Sequence, residues 1–234
     1  MVTCRLNVEV FFMKCLILAA TAIEIKPFMG VLPQLQQHQP ELQLDVLIGG
    51  IGLTATTYAL TRYISLCRPD FILQAGLGGG FDTNMPLGTV VAVKKETIAD
   101  QSVIELNELK TLFDLKWVPA NQHPFKKGWL VNSFPLLQKL PFQRVSGISV
   151  NEITTQGKKV AFYQKHFQPV VESMEGAALH YIALMEGIPF LQLRSISNYI
   201  GERNKAKWDM RTSIETLNLA IANTLPLIEK YARL

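Results

Sequence analysis

Six short apolar runs, separated by longer amphipathic segments, constrain the fold of this chain more than any other feature of its sequence. Several of the runs are apolar on both faces, as are the strands of a parallel sheet that helices cover. The runs are Lys14–Ala20, Leu44–Gly50, Asp70–Gly76, Gly88–Lys94, Arg144–Val150 and Pro189–Ser197. Helices are predicted at about 22–31, 53–67, 156–166, 176–187 and 210–232. This order of elements predicts a layered α/β fold.

The length of 234 residues suits a single α/β domain, which we place at residues 13–234. Met13 has the character of a natural start, so residues 1–12 are interpreted as an N-terminal extension. The stretch from about 100 to 143 has weak periodicity and is predicted to form extended insertions and a hairpin beside the main sheet. It carries the prolines Pro119, Pro124, Pro135 and Pro141.

Charge and hydropathy narrow the choice of partners. The net charge is only +4, and lysine and arginine form no run of five or more, which disfavours a nucleic-acid partner. No apolar run approaches the roughly 20 residues that span a bilayer, so no membrane partner is expected. The segment 15–22 could imitate a short signal peptide, but a buried strand followed by a loop is the favoured interpretation.

Cysteine and histidine are dispersed, which disfavours both a disulfide framework and a metal site. These residues are Cys4, Cys15, Cys67, His38, His123, His166 and His180. Free thiols fit a reducing compartment, and a cytoplasmic location is predicted.

Polar and glycine-rich segments follow the predicted strands, at the strand ends where ligands gather in open α/β sheets. These segments are Thr21–Glu24, Gly49–Gly52, Gly76–Gly80, Val150–Glu152, Met174–Glu175 and Ser197–Asn198. The Gly76–Gly80 segment is interpreted as a loop that lets a ligand approach the backbone. A dinucleotide-binding loop is the alternative, but the turn-like residues after Gly80 do not start a helix.

Three polar side chains are candidates for chemistry, each with a simpler interpretation. Glu175 can accept hydrogen bonds from two sugar hydroxyls while Met174 lies against the sugar, or Glu175 only complements a helix dipole. Asn198 can recognise a paired donor and acceptor, or it caps a turn. Glu24 lies among apolar neighbours as a candidate general base, although its spacing alone favours an ordinary first-turn helix glutamate.

The residues Met-Glu-Gly-Ala-Ala at 174–178 and Arg-Ser-Ile-Ser-Asn at 194–198, with the two glycine segments, resemble the nucleoside phosphorylase/nucleosidase superfamily. The resemblance extends from Met13 to the C-terminus. It implies a single-domain, three-layer α/β fold with a central mixed, partly barrel-like sheet flanked by helices. It also implies a homo-oligomer that binds a small purine nucleoside, and no cofactor is expected.

The segment from Met13 to Glu24 is similar to the start of the bacterial methylthioadenosine nucleosidases. That resemblance implies that Glu24 activates water and that Glu175 holds the ribose hydroxyls. It further implies that Val150 and Asn151 line the purine.

Two departures from the phosphorylases favour water over phosphate as the nucleophile. The first loop has no arginine and carries Glu24, which would repel a phosphate. The glycine segment has Leu77 and Gly78 where a phosphate site would need a hydroxyl-bearing residue.

Asn198 stands where the methylthioadenosine nucleosidases have aspartate. An amide can donate to a 6-oxo oxygen and accept from N7–H of the leaving base, which suits hypoxanthine or guanine. An asparagine at this position, together with the sequences of segments 145–155 and 197–208, resembles the futalosine hydrolases. These enzymes release hypoxanthine from futalosine during menaquinone synthesis. Arg203, with Trp208 nearby, is a candidate to receive the benzoate at the 5′ end of futalosine, and a solvated basic loop is the alternative.

Three other functions stay open from the sequence. They are an adenine-releasing nucleosidase, a 6-oxopurine phosphorylase and a non-catalytic nucleoside-binding protein, because a fold does not determine a function.

Overall fold

The computed structural model of the chain describes residues 13–38 and 40–232, which contain eleven strands and five α-helices. The strands are β1 (Met13–Ala19), β2 (Leu42–Ile48), β3 (Phe71–Gly80), β4 (Val90–Glu96), β5 (Ser102–Glu105), β6 (Glu108–Thr111), β7 (Phe125–Lys126), β8 (Trp129–Val131), β9 (Gln143–Ser149), β10 (Val171–Ser173) and β11 (Phe190–Tyr199). The helices are α1 (Lys26–His38), α2 (Leu53–Leu66), α3 (Gly157–Phe167), α4 (Gly176–Glu186) and α5 (Met210–Ala232). The interpretation of residues 1–12 as an extension lies outside the described residues.

Five strands close into a small barrel, which confirms the predicted mixed, barrel-like sheet. Around the ring the order is β3, β10, β9, β4 and β11, and β11 pairs with both β4 and β3 to close it. Strand β3 takes part twice, because its first half also pairs with β1 and its last two residues pair with β10. Strands β1 and β2 extend the sheet beyond the barrel on one side, and β8 and β7 extend it on the other.

The apolar runs are apolar on both faces because two helical layers cover the sheet. Ile17 of β1 packs in a core cluster with α5 residues such as Ile221. The residues on either side of it, Leu16 and Leu18, point the other way and pack with residues of α2 and α4 such as Leu60. Alternate residues of one strand thus belong to two different cores, as the alternation of side chains along a strand requires.

The predicted Gly76–Gly80 loop is wrong, because these glycines continue strand β3 to its end. A Cβ atom on Gly76 would stand 2.5 Å from Nη1 of Arg194, and one on Gly78 would stand 2.6 Å from Cγ2 of Val171. Real Cβ atoms do not approach other atoms so closely. The glycines therefore let β10 and β11 close against β3, and a loop rule based on glycine alone misreads them.

The first helix begins at Lys26, not at residue 22, and continues through Pro33 to His38. Before it, the Glu24 carboxylate accepts hydrogen bonds from the backbone and hydroxyl of Thr21 at 2.9 and 3.0 Å, which stabilises a turn there. Two further elements differ from expectation: the short strand β10 had no apolar run to reveal it, and β11 extends to Tyr199.

The stretch between 100 and 143 contains the predicted hairpin, formed by β5 and β6 as a separate two-stranded sheet. A second hairpin, β7–β8, joins the main sheet at β4. Among residues 13–38 and 40–232, no helix is long and apolar enough to cross a membrane.

Candidate active site

A cavity of about 340 Å³ opens at the carboxyl ends of β1, β3 and β11. This is the edge of the sheet where ligands are expected in α/β proteins. Seven of the residues singled out in the sequence line it: Glu24, Gly78, Met174, Glu175, Asn198, Arg203 and Trp208. The cavity thus collects side chains from positions as far apart as 24 and 208 into one site.

Glu175 lies at the start of α4, directly after the turn that follows β10, and is 6% exposed. Its Oε1 accepts from the backbone N–H of Gly52 at 3.2 Å, and its Oε2 accepts from Arg194 at 3.2 Å. Gly52 has φ of +93°, a conformation that side chains rarely adopt, so a glycine is required to present this N–H. A carboxylate has about four acceptor positions, so Glu175 keeps two for a ligand with adjacent hydroxyls.

Arg194 is a charged residue of the site that sequence reasoning missed. It lies inside β11, is 1% exposed, and pairs with the nearly buried Glu175. Its other contacts are the carbonyl of Leu77 at 3.2 Å and Oε1 of Gln74 at 3.3 Å. The sequence did contain a signal for it: Arg194 is the one charged residue in an apolar run that is predicted to be an interior strand. A buried cation needs a buried partner, so its position indicated an ion pair.

Glu24 is half-buried in the turn before α1, and its carboxylate reaches over β3. Its Oε1 accepts from the backbone N–H of Leu77 at 3.0 Å, while Oε2 accepts the two hydrogen bonds from Thr21. Oε1 therefore keeps a free acceptor position. Because the carbonyl of Leu77 also accepts a hydrogen bond from Arg194, the backbone of this one residue connects Glu24 to the pair of Arg194 and Glu175.

Asn198 lies at the end of β11, after a bulge between Ile196 and Asn198 that changes the register with β3. Its Oδ1 accepts from the Ser197 hydroxyl at 3.1 Å, and its Nδ2 donates to the carbonyl of Tyr199 at 3.3 Å. These contacts orient the amide and leave one N–H and one acceptor position for a ligand.

Two predicted residues lie outside the lining of the cavity. Val150 is fully buried in the core beside β9, and Asn151 is exposed and hydrogen-bonds Asp100. The same segment reaches the cavity two residues later, at Ile153. Contact between the purine and Val150 or Asn151 stays a prediction.

Arg203 and Trp208 lie at the mouth of the cavity, in the segment between β11 and α5. The Arg203 guanidinium carbon is 5.3 Å from the centre of the Trp208 indole, within the range of a cation–π contact. Arg203 is exposed and Trp208 is half-buried. A cation held over an aromatic ring at an opening is suited to an anionic, aromatic group.

A buried polar cluster supports the start of α4 from behind. The Glu96 carboxylate, 0% exposed, accepts from Gln192 at 3.1 Å and from the Ser149 hydroxyl at 3.2 Å. Ser149 in turn accepts from the backbone N–H of Ala177, in the first turn of α4, at 2.8 Å. Burial raises the pKa of Glu96 to about 7, and the hydrogen bond from Gln192 and the positive charge of Arg194 oppose the rise.

The chain is similar in sequence to proteins of a known family. The family model described as the phosphorylase superfamily matches residues 46–233. A futalosine hydrolase of Streptomyces coelicolor is 26% identical over 211 residues, which are 85% of this chain and 86% of that protein. A 5′-methylthioadenosine/S-adenosylhomocysteine nucleosidase of an Exiguobacterium species is 25% identical and covers 76% of this chain and 77% of its own.

The fold has solved counterparts as well. A 5′-methylthioadenosine/S-adenosylhomocysteine nucleosidase of Colwellia psychrerythraea, solved in complex with adenine, superposes with a TM-score of 0.72. It covers 93% of this chain and 97% of its own at 18% identity, so the likeness concerns the fold.

The raised pKa of Glu96 predicts a stability that falls as pH rises. The folded protein holds the Glu96 proton up to a pKa of about 7, whereas an unfolded glutamate loses it near 4.5. Between these values the unfolded chain ionises first, so the free energy of unfolding decreases with pH, by up to about 3 kcal/mol above pH 7. Glu96→Gln should remove this loss. Urea unfolding from pH 5 to pH 8 measures it.

The matched control is Glu108→Gln, which changes an exposed carboxylate of the hairpin. It should show the same pH dependence as the unaltered protein. A stability difference between Glu96→Gln and the unaltered protein that is constant with pH would contradict the assignment.

Proposed function

The chain belongs to the phosphorylase superfamily, and we propose that this N-glycosyl hydrolase cleaves a 6-oxopurine nucleoside, with futalosine as its substrate. The observation that carries the proposal is the set of charges in the cavity. Three carboxylates line it (Glu24, Glu172 and Glu175), and among the described lining residues Arg203 at the mouth is the one cation. Glu175 is paired with Arg194 from behind, whereas no cation pairs with Glu24 among the described residues. The position beside Glu24 therefore repels a phosphate nucleophile and accepts a neutral water.

Water is activated by Glu24 in this proposal. The free acceptor position of Oε1 lies over β3 near Gly76, where Nη1 of Arg194 also arrives. A water bound at this acceptor position would give its proton to Glu24 as its oxygen bonds to C1′ of the sugar. The bond from C1′ to the purine breaks at the same time, and positive charge develops at C1′, as in glycoside hydrolysis in general.

The ribose is held by Glu175, whose two remaining acceptor positions suit the 2′ and 3′ hydroxyls. Arg194 and Gly52 fix the carboxylate from the other side, so it is already oriented before substrate arrives. Its negative charge also stabilises the developing charge on the sugar. Met174 lies beside Glu175 in the lining and provides an apolar surface for the sugar face.

The base is held by Asn198, which can donate to the 6-oxo oxygen. As the bond to C1′ breaks, N7 takes a proton from solvent water, and Asn198 can accept a hydrogen bond from the resulting N7–H. The Ser197 hydroxyl already donates to Oδ1, and this hydrogen bond fixes which end of the amide carries the oxygen and which carries the N–H groups. The 5′ substituent would extend toward Arg203 and Trp208, whose charge and ring suit a benzoate. Release of hypoxanthine from futalosine would place the enzyme in menaquinone biosynthesis.

Product analysis tests the proposal. The protein, in phosphate-free buffer, is incubated separately with futalosine, inosine and methylthioadenosine, and the released base is identified by chromatography. We expect hypoxanthine from futalosine and little product from the other two, because inosine lacks the 5′ group and adenine does not match Asn198. Arg203→Ala should raise the KM for futalosine without affecting inosine.

Each other outcome removes a part of the proposal. Adenine from methylthioadenosine would mean that Asn198 does not set the choice of base. Activity that requires added phosphate would establish a phosphorylase, and no product with any substrate would favour a nucleoside-binding protein.

Glu24→Gln should lower kcat by about 10²- to 10⁴-fold, the usual contribution of a positioned general base. The KM should change little, because the variant keeps the size and one acceptor oxygen of the side chain. Steady-state kinetics with futalosine measure both constants, and Glu108→Gln is the control. A rate within twofold of the unaltered enzyme would remove Glu24 from the mechanism.

A homo-oligomer is part of the proposal, and the outer face of α2 and α4 supports it. These helices pack side by side and expose large apolar side chains, Tyr58 at 67%, Leu66 at 78% and Met185 at 51%. Beneath them lies a second cavity of about 270 Å³, lined by apolar residues such as Leu53 and Tyr181. Exposed apolar side chains grouped on one surface are a feature of protein–protein interaction sites. A cytoplasmic location stays a prediction from the sequence.

Light scattering during size-exclusion chromatography tests the interface. The mass should be a multiple of 26.2 kDa, and Tyr58→Glu should shift it toward a single chain. A single-chain mass for the unaltered protein at micromolar concentration would contradict the oligomer.

A further inference from the structure

Glu172 is a buried carboxylate in the cavity that the steps above do not use. It lies in β10, is 4% exposed and lines the same cavity as Asn198. Its Oε1 accepts from the backbone N–H of Thr154 at 3.0 Å. Its Oε2 is buried and has no hydrogen-bond partner among the described residues. Because an unsatisfied buried carboxylate oxygen is costly, its position favours a ligand that brings a donor.

The register of the barrel sets Glu172 opposite Asn198 across a single glycine. Glu172 pairs with Gly79 of β3 from one side, and Asn198 pairs with the same Gly79 from the other. Directly paired residues project to the same face, and adjacent strands are about 4.8 Å apart, so the two side chains rise from backbones roughly 10 Å apart. This separation suits a flat ring system between the two side chains.

Gly79 makes room for the Ile200 side chain between Glu172 and Asn198. A Cβ atom there would stand 2.5 Å from Cδ1 of Ile200 and 3.4 Å from Nδ2 of Asn198. Without it, Ile200 packs close to the strand and lines the cavity, so a planar ring can lie over Ile200, with one edge toward Asn198 and the next toward Glu172.

The ionised form of Glu172 is the one that can distinguish the two classes of base. Burial raises the pKa of its carboxyl, and hydrogen bonds from Thr154 and the positive charge of Lys159 oppose that rise. When ionised, a carboxylate only accepts hydrogen bonds. In a 6-oxopurine, the 6-oxo oxygen lies between N7 and N1, and N1 carries a hydrogen. In a 6-aminopurine, N1 is a bare acceptor and would face the carboxylate with no hydrogen between them.

We propose that Glu172 accepts the N1–H of a 6-oxopurine while Asn198 holds its O6 and N7, so that Glu172 selects the class of base. The inference rests on the proposed function for the presence of a purine and names a determinant that Asn198 alone does not supply. A site built to hydrogen-bond one edge rejects the other because its polar groups would be left unpaired.

Binding of the free bases tests the assignment independently of catalysis. Titration calorimetry with hypoxanthine and with adenine at pH 8 compares the unaltered protein, Glu172→Gln and Glu152→Gln. A glutamine at 172 can keep the hydrogen bond from Thr154 through its oxygen and present an N–H at the position of Oε2. We therefore expect hypoxanthine to bind about 10- to 100-fold more weakly and adenine more tightly than to the unaltered protein.

Glu152→Gln is the matched control, because it removes a nearby negative charge from a side chain that is 73% exposed. It should leave both affinities unchanged. A parallel loss for both bases in Glu172→Gln would indicate a purely structural role and would overturn the inference. An unaltered protein that does not prefer hypoxanthine, including one that binds neither base, would also overturn it.

The product analysis separates this inference from the proposed function. Opposite changes for the two bases, without release of hypoxanthine from futalosine, would support the role of Glu172 and remove the proposed substrate. Release of hypoxanthine from futalosine, with an unchanged base preference in Glu172→Gln, would do the reverse.

Discussion

The buried ion pair between Arg194 and Glu175 is the interaction on which the rest of the site depends. Removing two charges from water costs several kcal/mol each, and the cost is offset only when geometry and hydrogen bonds are good. Here the guanidinium also donates hydrogen bonds to the side chain of Gln74 and the carbonyl of Leu77, and the carboxylate also accepts one from the N–H of Gly52. Since Gln74 and Leu77 lie in β3, Arg194 in β11, and Gly52 and Glu175 at the starts of α2 and α4, the pair aligns the elements that surround the cavity.

The same pair explains why the barrel needs glycines on β3. Arg194 occupies the space above Gly76 that a side chain would fill, and β10 occupies the space above Gly78. Strand β3 holds Glu24 and Glu175, the two carboxylates of the proposed mechanism, in fixed relative positions. Leu77 donates a hydrogen bond to Glu24 and accepts one from Arg194, the partner of Glu175. The proposed catalysis is therefore a matter of fixed positions around β3, with charge-bearing groups oriented before substrate binds.

The polar interior also makes the fold less stable than an apolar one would be. Among the described residues, no cation hydrogen-bonds to Glu96, and its pKa of about 7 reflects the cost of burying its charge. It supports α4 through Ser149, and so it supports the position of Glu175 at the start of that helix. Departures from an apolar core are expected where a site requires them.

The sequence by itself located six of the strands, the approximate positions of the five helices and the residues at the strand ends, because apolar periodicity and chain direction are local properties. It could therefore indicate Glu24, Glu175 and Asn198. Only the tertiary structure decided that Gly76–Gly80 is a strand, that Arg194 is the partner of Glu175, and that Glu172 faces Asn198. Those facts depend on contacts between distant residues, such as Gly52 and Glu175, which are 123 positions apart. No local pattern encodes the closure of a barrel that brings such residues together.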